Sequence, residues 1–166
     1  MPRINTAFAC SLFISAIVAA NMSVAALGPM ITPVNAFLLI GLDLSLRDSL
    51  HDRWAGDRLV WRMGALILSA SLISYIANPA TGMIALASCI SFGASSLVDA
   101  FAYAAVRKHS WLIRSNGSNM AGAAVDSMLF PTIAFGAIMP EIVAMQFAAK
   151  VAGGAVWSLL LRKRCA

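Results

Sequence analysis

The sequence predicts an all-α membrane protein, a single transmembrane domain built as a six-helix bundle, and three observations carry that prediction. Hydrophobic residues make up 60% of the 166 positions and charged residues only 11%, against about a quarter charged in an ordinary soluble domain. Six apolar stretches of 15 to 25 residues follow one another, against the roughly 20 residues that a helix rising 1.5 Å per residue needs to cross a bilayer. Every lysine and arginine except Lys150 falls at a terminus or in every second connection between those stretches.

The first stretch covers residues 4–26, after which Gly28, Pro29 and Pro33 mark a short uncharged connection. Arg3 ahead of this run also has the shape of a signal peptide, but the equally apolar stretches that follow favour a retained first helix. The second stretch, residues 31–46, is short and contains Asn35 and Asp43. Residues 47–62 are polar with Trp54 and Trp61 interleaved, the pattern of a loop or interfacial helix among lipid headgroups. The third stretch, residues 63–77, stops at Asn78-Pro79, because a proline restricts the residue before it. The fourth, residues 82–106, is long enough to cross with tilt and precedes the basic run Arg107 to Arg114. The fifth, residues 118–139, starts at Ser118 as a potential N-cap and closes at Pro140. The sixth, residues 142–161, runs into Arg162, Lys163 and Arg164.

Cytoplasmic loops carry the excess of lysine and arginine, so this charge pattern predicts both termini in the cytoplasm and a multi-pass location in the cytoplasmic (inner) membrane. The net charge of +5 is distributed over short clusters rather than one patch, which argues for topology signals and against nucleic acid as a partner. Cys10, Cys89 and Cys165 have no paired spacing, and His51 and His109 have no second ligand at metal spacing. No nucleophile elbow, phosphate-binding loop or HExxH motif is present, so neither an enzyme nor a cofactor is expected.

The informative residues are the ionisable and polar ones inside the apolar stretches, since each is costly in lipid unless it is paired or faces water. Counting along the helices places Asp99 and Asp126 about 12 Å from the cytoplasmic ends, Asp43 about 6 Å, and Lys150 near the midplane. Asp126, with Asn119 and Ser127 on the same helix, reads either as a substrate or proton-binding carboxylate or as one half of an ion pair with Lys150. Asp99 reads either as a ligand contact or as a partner of Lys150. Asp43 is expected to pair with Arg47 one helical turn on, as a structural or gating element. Asn21 and Asn35 either bind a polar ligand or join helices. Phe101, Tyr103 and Phe130 offer aromatic faces, Trp54, Trp61 and Trp111 read as interface anchors, and Gly93, Gly122, Gly153 and Gly154 read as sites of close helix approach.

Three segments resemble the queuosine-precursor transporter family, also called the vitamin uptake transporter family. They are GLDLSLRDSLHDRWAG from Gly41 to Gly56, ASSLVDAFAYAAVRK from Ala94 to Lys108, and SNGSNMAGAAVDSMLFPTIAFG from Ser115 to Gly136, with Lys150 following in the last helix. The resemblance implies a bundle like the substrate-binding subunits of energy-coupling-factor transporters. It also implies uptake of 7-cyano-7-deazaguanine or 7-aminomethyl-7-deazaguanine, and for such a planar, donor-rich ring the candidate contacts in this sequence are Asp126, Asp99, Asn119, Ser127, Asn21, Asn35, Lys150 and Phe130. Three modes of action follow: a transporter acting alone, possible as a homodimer; a binding subunit docked on an ATP-driven module; or a non-transporting scaffold. The chain has no ATP-binding motif, so ATP dependence requires a partner.

Overall fold

A computed structural model gives the structure over residues 5–54, 58–105 and 111–165, with side chains described there except at positions 48, 51, 52, 103, 104, 111–116, 158 and 161–165. Arg3, the run 107–110 and the side chains of His51, Tyr103, Trp111, Arg114, Arg162, Lys163, Arg164 and Cys165 therefore lie outside the described residues. The described residues are almost entirely helical and contain no strand.

Helix α1 spans Thr6–Leu27. The Asn5 side chain caps it by accepting the Ala7 N–H at 3.0 Å. It ends where Gly28 adopts φ +74°, a conformation glycine reaches without Cβ strain. A tight turn at Pro29–Ile31 leads into α2, Thr32–Asn35. A wider π-type stretch at Ala36–Ile40 then joins α2 to α3, Gly41–Trp54. Together these pieces form one continuous rod. The rod runs on through Trp54 instead of ending at residue 46, because nothing between Leu46 and Trp54 breaks a helix and hydropathy alone marked the earlier boundary.

Helix α4, Leu59–Ala77, likewise begins before its apolar stretch. Asn78 ends it as expected: its side chain accepts the Ala80 N–H at 3.0 Å, while the Thr81 hydroxyl donates to the Ser74 carbonyl at 2.9 Å. Helix α5 covers Gly82–Ala105 and α6 covers Trp111–Phe135, so that Ser118 lies inside α6 rather than capping it. Gly136 at φ +70° terminates α6. Pro140 does not close that helix but opens α7, Pro140–Cys165, where its missing N–H costs nothing.

Among the described residues, four helical segments are long and apolar enough to cross a membrane: Thr6–Leu27, Pro29–Arg47, Leu59–Ala77 and Pro79–Ala102. Large apolar side chains point outward from them, among them Leu68, Leu72 and Ile76, the last 71% exposed. Apolar surface on that scale suits hydrocarbon rather than water. The inward faces of α1, α3, α4 and α5 meet in a core that includes Phe13, Ile17, Leu46, Leu50, Ile67 and Phe92. Helix α7 lies against the rod at a place without side chains: a Cβ on Gly41 would sit 2.6 Å from the Gly153 carbonyl carbon. That contact fixes the position of the polar residues α7 carries.

Candidate functional site

Two buried polar groups occupy the bundle at different levels. The first lies toward the end formed by the turns at 28–31, 78–81 and 136–139. Helix α7 presents Gln146 and Lys150 on one face because they are one helical turn apart, and α6 supplies Asp126 and Ser127. Lys150 Nζ is 2.7 Å from Asp126 Oδ2. It also donates to Ser127 Oγ at 3.0 Å and to Gln146 Oε1 at 3.3 Å. The three protons of the ammonium group thus have three acceptors, which offsets much of the cost of burying it. Gln146 Nε2 then donates to Thr32 Oγ1 at 2.9 Å, and Thr32 donates to the Pro29 carbonyl at 2.7 Å. The chain of contacts thereby reaches from mid-bundle to the first turn of the rod.

Beside this chain is a small cleft with a cavity volume of about 30 Å³, so a ligand larger than a water molecule enters only as the surrounding helices part. Asp126, Lys150, Gln146, Thr32, Asn21, Asn35 and Ser88 give it polar walls, and Phe92 and Phe130 line it with aromatic rings. Both asparagines are held. Asn21 accepts from Ser88 Oγ at 2.6 Å and donates to Ser74 Oγ at 3.1 Å, while Asn35 donates to Ser23 Oγ at 2.7 Å and to the Ala20 carbonyl at 3.3 Å. Fixed amides of this kind offer a ligand a set orientation of donors and acceptors without reorganisation.

The second group lies nearer the opposite end. Arg47, 2% exposed, reaches from α3 to Asp99 on α5, with Nη2 3.8 Å from Oδ2, and donates to Asn119 Oδ1 on α6 at 3.2 Å. Asp43 is completely buried one turn before Arg47, and neither of its carboxylate oxygens has a hydrogen-bond partner.

Of the residues singled out in the sequence, Asp126, Lys150, Asn21, Asn35 and Phe130 meet at the cleft, with Ser127 bonded to Lys150. Asp99 and Asn119 do not line it. Asp99 pairs with Arg47 and not with Lys150, because α3 rather than α7 presents a cation at its level. No hydrogen bond joins Asp43 to Arg47 as expected, because Nη2 of the guanidinium extends across the bundle to Asp99 and Asn119 while Nε and Nη1 are left without partners. Phe101 is 74% exposed and points away from the interior, and Trp61 is outward as well. Gln146, Thr32, Ser88 and Phe92 were not anticipated. Gln146 was detectable from its spacing to Lys150, but hydroxyl and aromatic residues are too common in membrane helices to be picked out without a fold.

The sequence model of a family described as "Putative vitamin uptake transporter" matches residues 3–161. No curated protein and no solved structure matches the chain.

Proposed function

The chain belongs to the vitamin uptake transporter family, and from that premise we propose that it imports a 7-deazaguanine precursor of queuosine, 7-cyano-7-deazaguanine or 7-aminomethyl-7-deazaguanine, across the cytoplasmic membrane. The observation that carries this reading is the cleft between Asn21, Asn35, Phe130 and the Lys150–Asp126 pair. Its one cation and one anion cancel, so neutral 7-cyano-7-deazaguanine enters without meeting a net charge, and the protonated amine of 7-aminomethyl-7-deazaguanine has the Asp126 carboxylate to meet. Planar heterocycles rich in N–H and ring-nitrogen groups match the carboxylate, amide and hydroxyl groups of the walls, and Phe92 and Phe130 supply apolar faces for the ring. In this reading the ligand exchanges hydrogen bonds with Asp126 and Lys150 while the amides set its orientation. Asp99 and Asn119 then act below the substrate rather than on it.

The same proposal takes the bundle as six spans, as in the substrate-binding subunits of energy-coupling-factor transporters, with both termini cytoplasmic. Helices α6 and α7, at 25 and 26 residues, have the length to cross, and turn Asn119, Asp126, Gln146 and Lys150 toward the interior. In a cysteine-free background, Ala80→Cys, an exposed position of the Pro79–Thr81 turn, is expected to react with an impermeant maleimide from outside intact cells. His109→Cys reacts only after lysis. Labelling of both positions from the same side rules out the six-span arrangement.

The substrate is tested in a host that cannot make the deazaguanine precursor but keeps the enzymes that use it. Expression of this chain at low external precursor is expected to restore queuosine in tRNA. Unmodified tRNA despite verified membrane insertion and abundant external precursor refutes the deazaguanine assignment.

A further inference from the structure

We propose that Asp43, with Asp99 and Arg47, forms a binding site for a monovalent cation, a proton or a sodium ion, and that import is coupled to this cation. The coupling rests on the import reading above; the binding site does not. Charge counting gives the first argument. Arg47 pairs with Asp99 while Asp43 lies one helical turn before it on the same helix, so two carboxylates stand near one guanidinium and one negative charge is left uncompensated inside a bundle whose interior cannot solvate it. A single positive charge neutralises the group.

Hydrogen bonding gives the second argument. Asp43 is 0% exposed with both oxygens unpartnered and Asp99 Oδ1 is unpartnered as well, three free acceptors against the two Arg47 donors, Nε and Nη1, that are also unpartnered. Native buried carboxylates rarely lack partners, and such a set of free oxygens is what a small cation ligates or a proton binds. The other cations described on α3 and on α4, which packs against it, are engaged near the far end of α3, where Arg53 donates to Thr6 Oγ1 at 3.2 Å and Arg62 lies over the Trp54 ring. Helix α1 carries no charged residue, its titratable group being the partly buried Cys10. The π-type stretch carries none, and on α7 Lys150 is committed to Asp126 while Glu141 lies in the first turn, at the opposite end. Across the group, α5 contributes Asp99 itself and α6 the neutral Asn119.

The geometry also gives the cation a mechanical consequence. Arg47 sits one helical turn from Asp43, within reach of it, yet ties α3 to α5 and α6 instead. With the cation bound, Asp43 has no claim on the guanidinium and the tie holds, closing the bundle below the cleft. When the cation leaves, Arg47 turns back to Asp43 and the tie is released. Cation occupancy thereby selects which end of the cleft communicates with water, the linkage that coupled transport requires.

The purified full chain in lipid nanodiscs tests the site without any substrate. Infrared spectroscopy reads a protonated carboxyl, and equilibrium dialysis with radioactive sodium reads sodium. One of the two signals is expected in the wild type and is lost in Asp43→Asn. Asp99→Asn, which cancels the same excess charge, loses it too and serves if the first variant does not fold. Absence of both signals in the wild type, or their persistence in both variants, overturns the site. In proteoliposomes given radiolabelled 7-cyano-7-deazaguanine, an inward gradient of about tenfold in the identified cation is expected to drive accumulation of up to about tenfold for one cation per substrate. Asp43→Asn abolishes this accumulation. Gradient-independent accumulation by the wild type overturns the coupling. A cation signal at Asp43 in a protein that moves no deazaguanine supports the site and refutes only the substrate reading.

Discussion

Asp126→Asn is expected to lower the initial rate of precursor uptake by on the order of a hundredfold, the equivalent of about 3 kcal/mol, in a protein that still inserts into the membrane. Asparagine preserves size and a carbonyl acceptor but removes the negative charge that lies 2.7 Å from Lys150 Nζ, leaving the buried ammonium with neutral acceptors only, the new amide oxygen together with Ser127 and Gln146. Removing one partner of a buried ion pair costs roughly 3–5 kcal/mol because the other charge is left uncompensated. Thermal stability of the purified variant should fall accordingly, and Lys150→Met should fall similarly for the converse reason. The double variant Asp126→Asn, Lys150→Met separates the roles, since it removes both charges together. Stability is expected to recover in large part while uptake stays lost, because the ligand has no ionic pair to engage. Wild-type uptake by the double variant would reduce the pair to a lock between α6 and α7.

Gly153→Val is expected to prevent α7 from seating on the rod. A Cβ at position 153 would meet the Phe37 carbonyl oxygen and would lie 2.9 Å from Phe37 Cα, both backbone atoms that no rotamer change can move aside. Overpacking of this kind costs about 1–3 kcal/mol even where side chains can yield, so Gly153→Ala should already destabilise measurably and valine should lower the yield of monodisperse protein. The neighbouring glycine provides the contrast. A Cβ at Gly154 would meet only Leu44 Cδ1, at 3.7 Å, an ordinary contact, and alanine there gains helix propensity. Gly154→Ala is therefore expected to melt within about 0.5 kcal/mol of wild type. Equal behaviour of the two alanine variants would show that the close backbone approach does not hold α7 in place. Because α7 carries Gln146 and Lys150, any displacement at Gly153 also opens the cleft wall, and the loss of binding should follow the loss of stability.

The amino-acid sequence by itself determined the all-helical membrane class, the succession of apolar helices, the breaks at Gly28 and Asn78-Pro79, the family, and the burial of Asp43, Asp126 and Lys150, but not that of Arg47, which hydropathy had placed in a polar connection. These are legible because hydropathy, glycine and proline act over a few neighbouring residues, and because the cost of a charge in lipid depends little on which partner it finds. Helix ends set by hydropathy alone were less legible, as the continuation of the rod through Trp54 and the start of α6 at Trp111 illustrate. Partner choice was decided only by the tertiary structure. Local geometry offered Arg47 to Asp43, four residues before it, yet the guanidinium goes to Asp99 and Asn119 on two other helices. Lys150 had two acids within plausible reach and takes Asp126, and Asn21 is bound by hydroxyls from α4 and α5. The physical reason is that such pairings depend on which helix faces meet and at what depth. Contacts between segments far apart in the chain, such as Gly41 against Gly153, fix that register, and no window of neighbouring residues contains it.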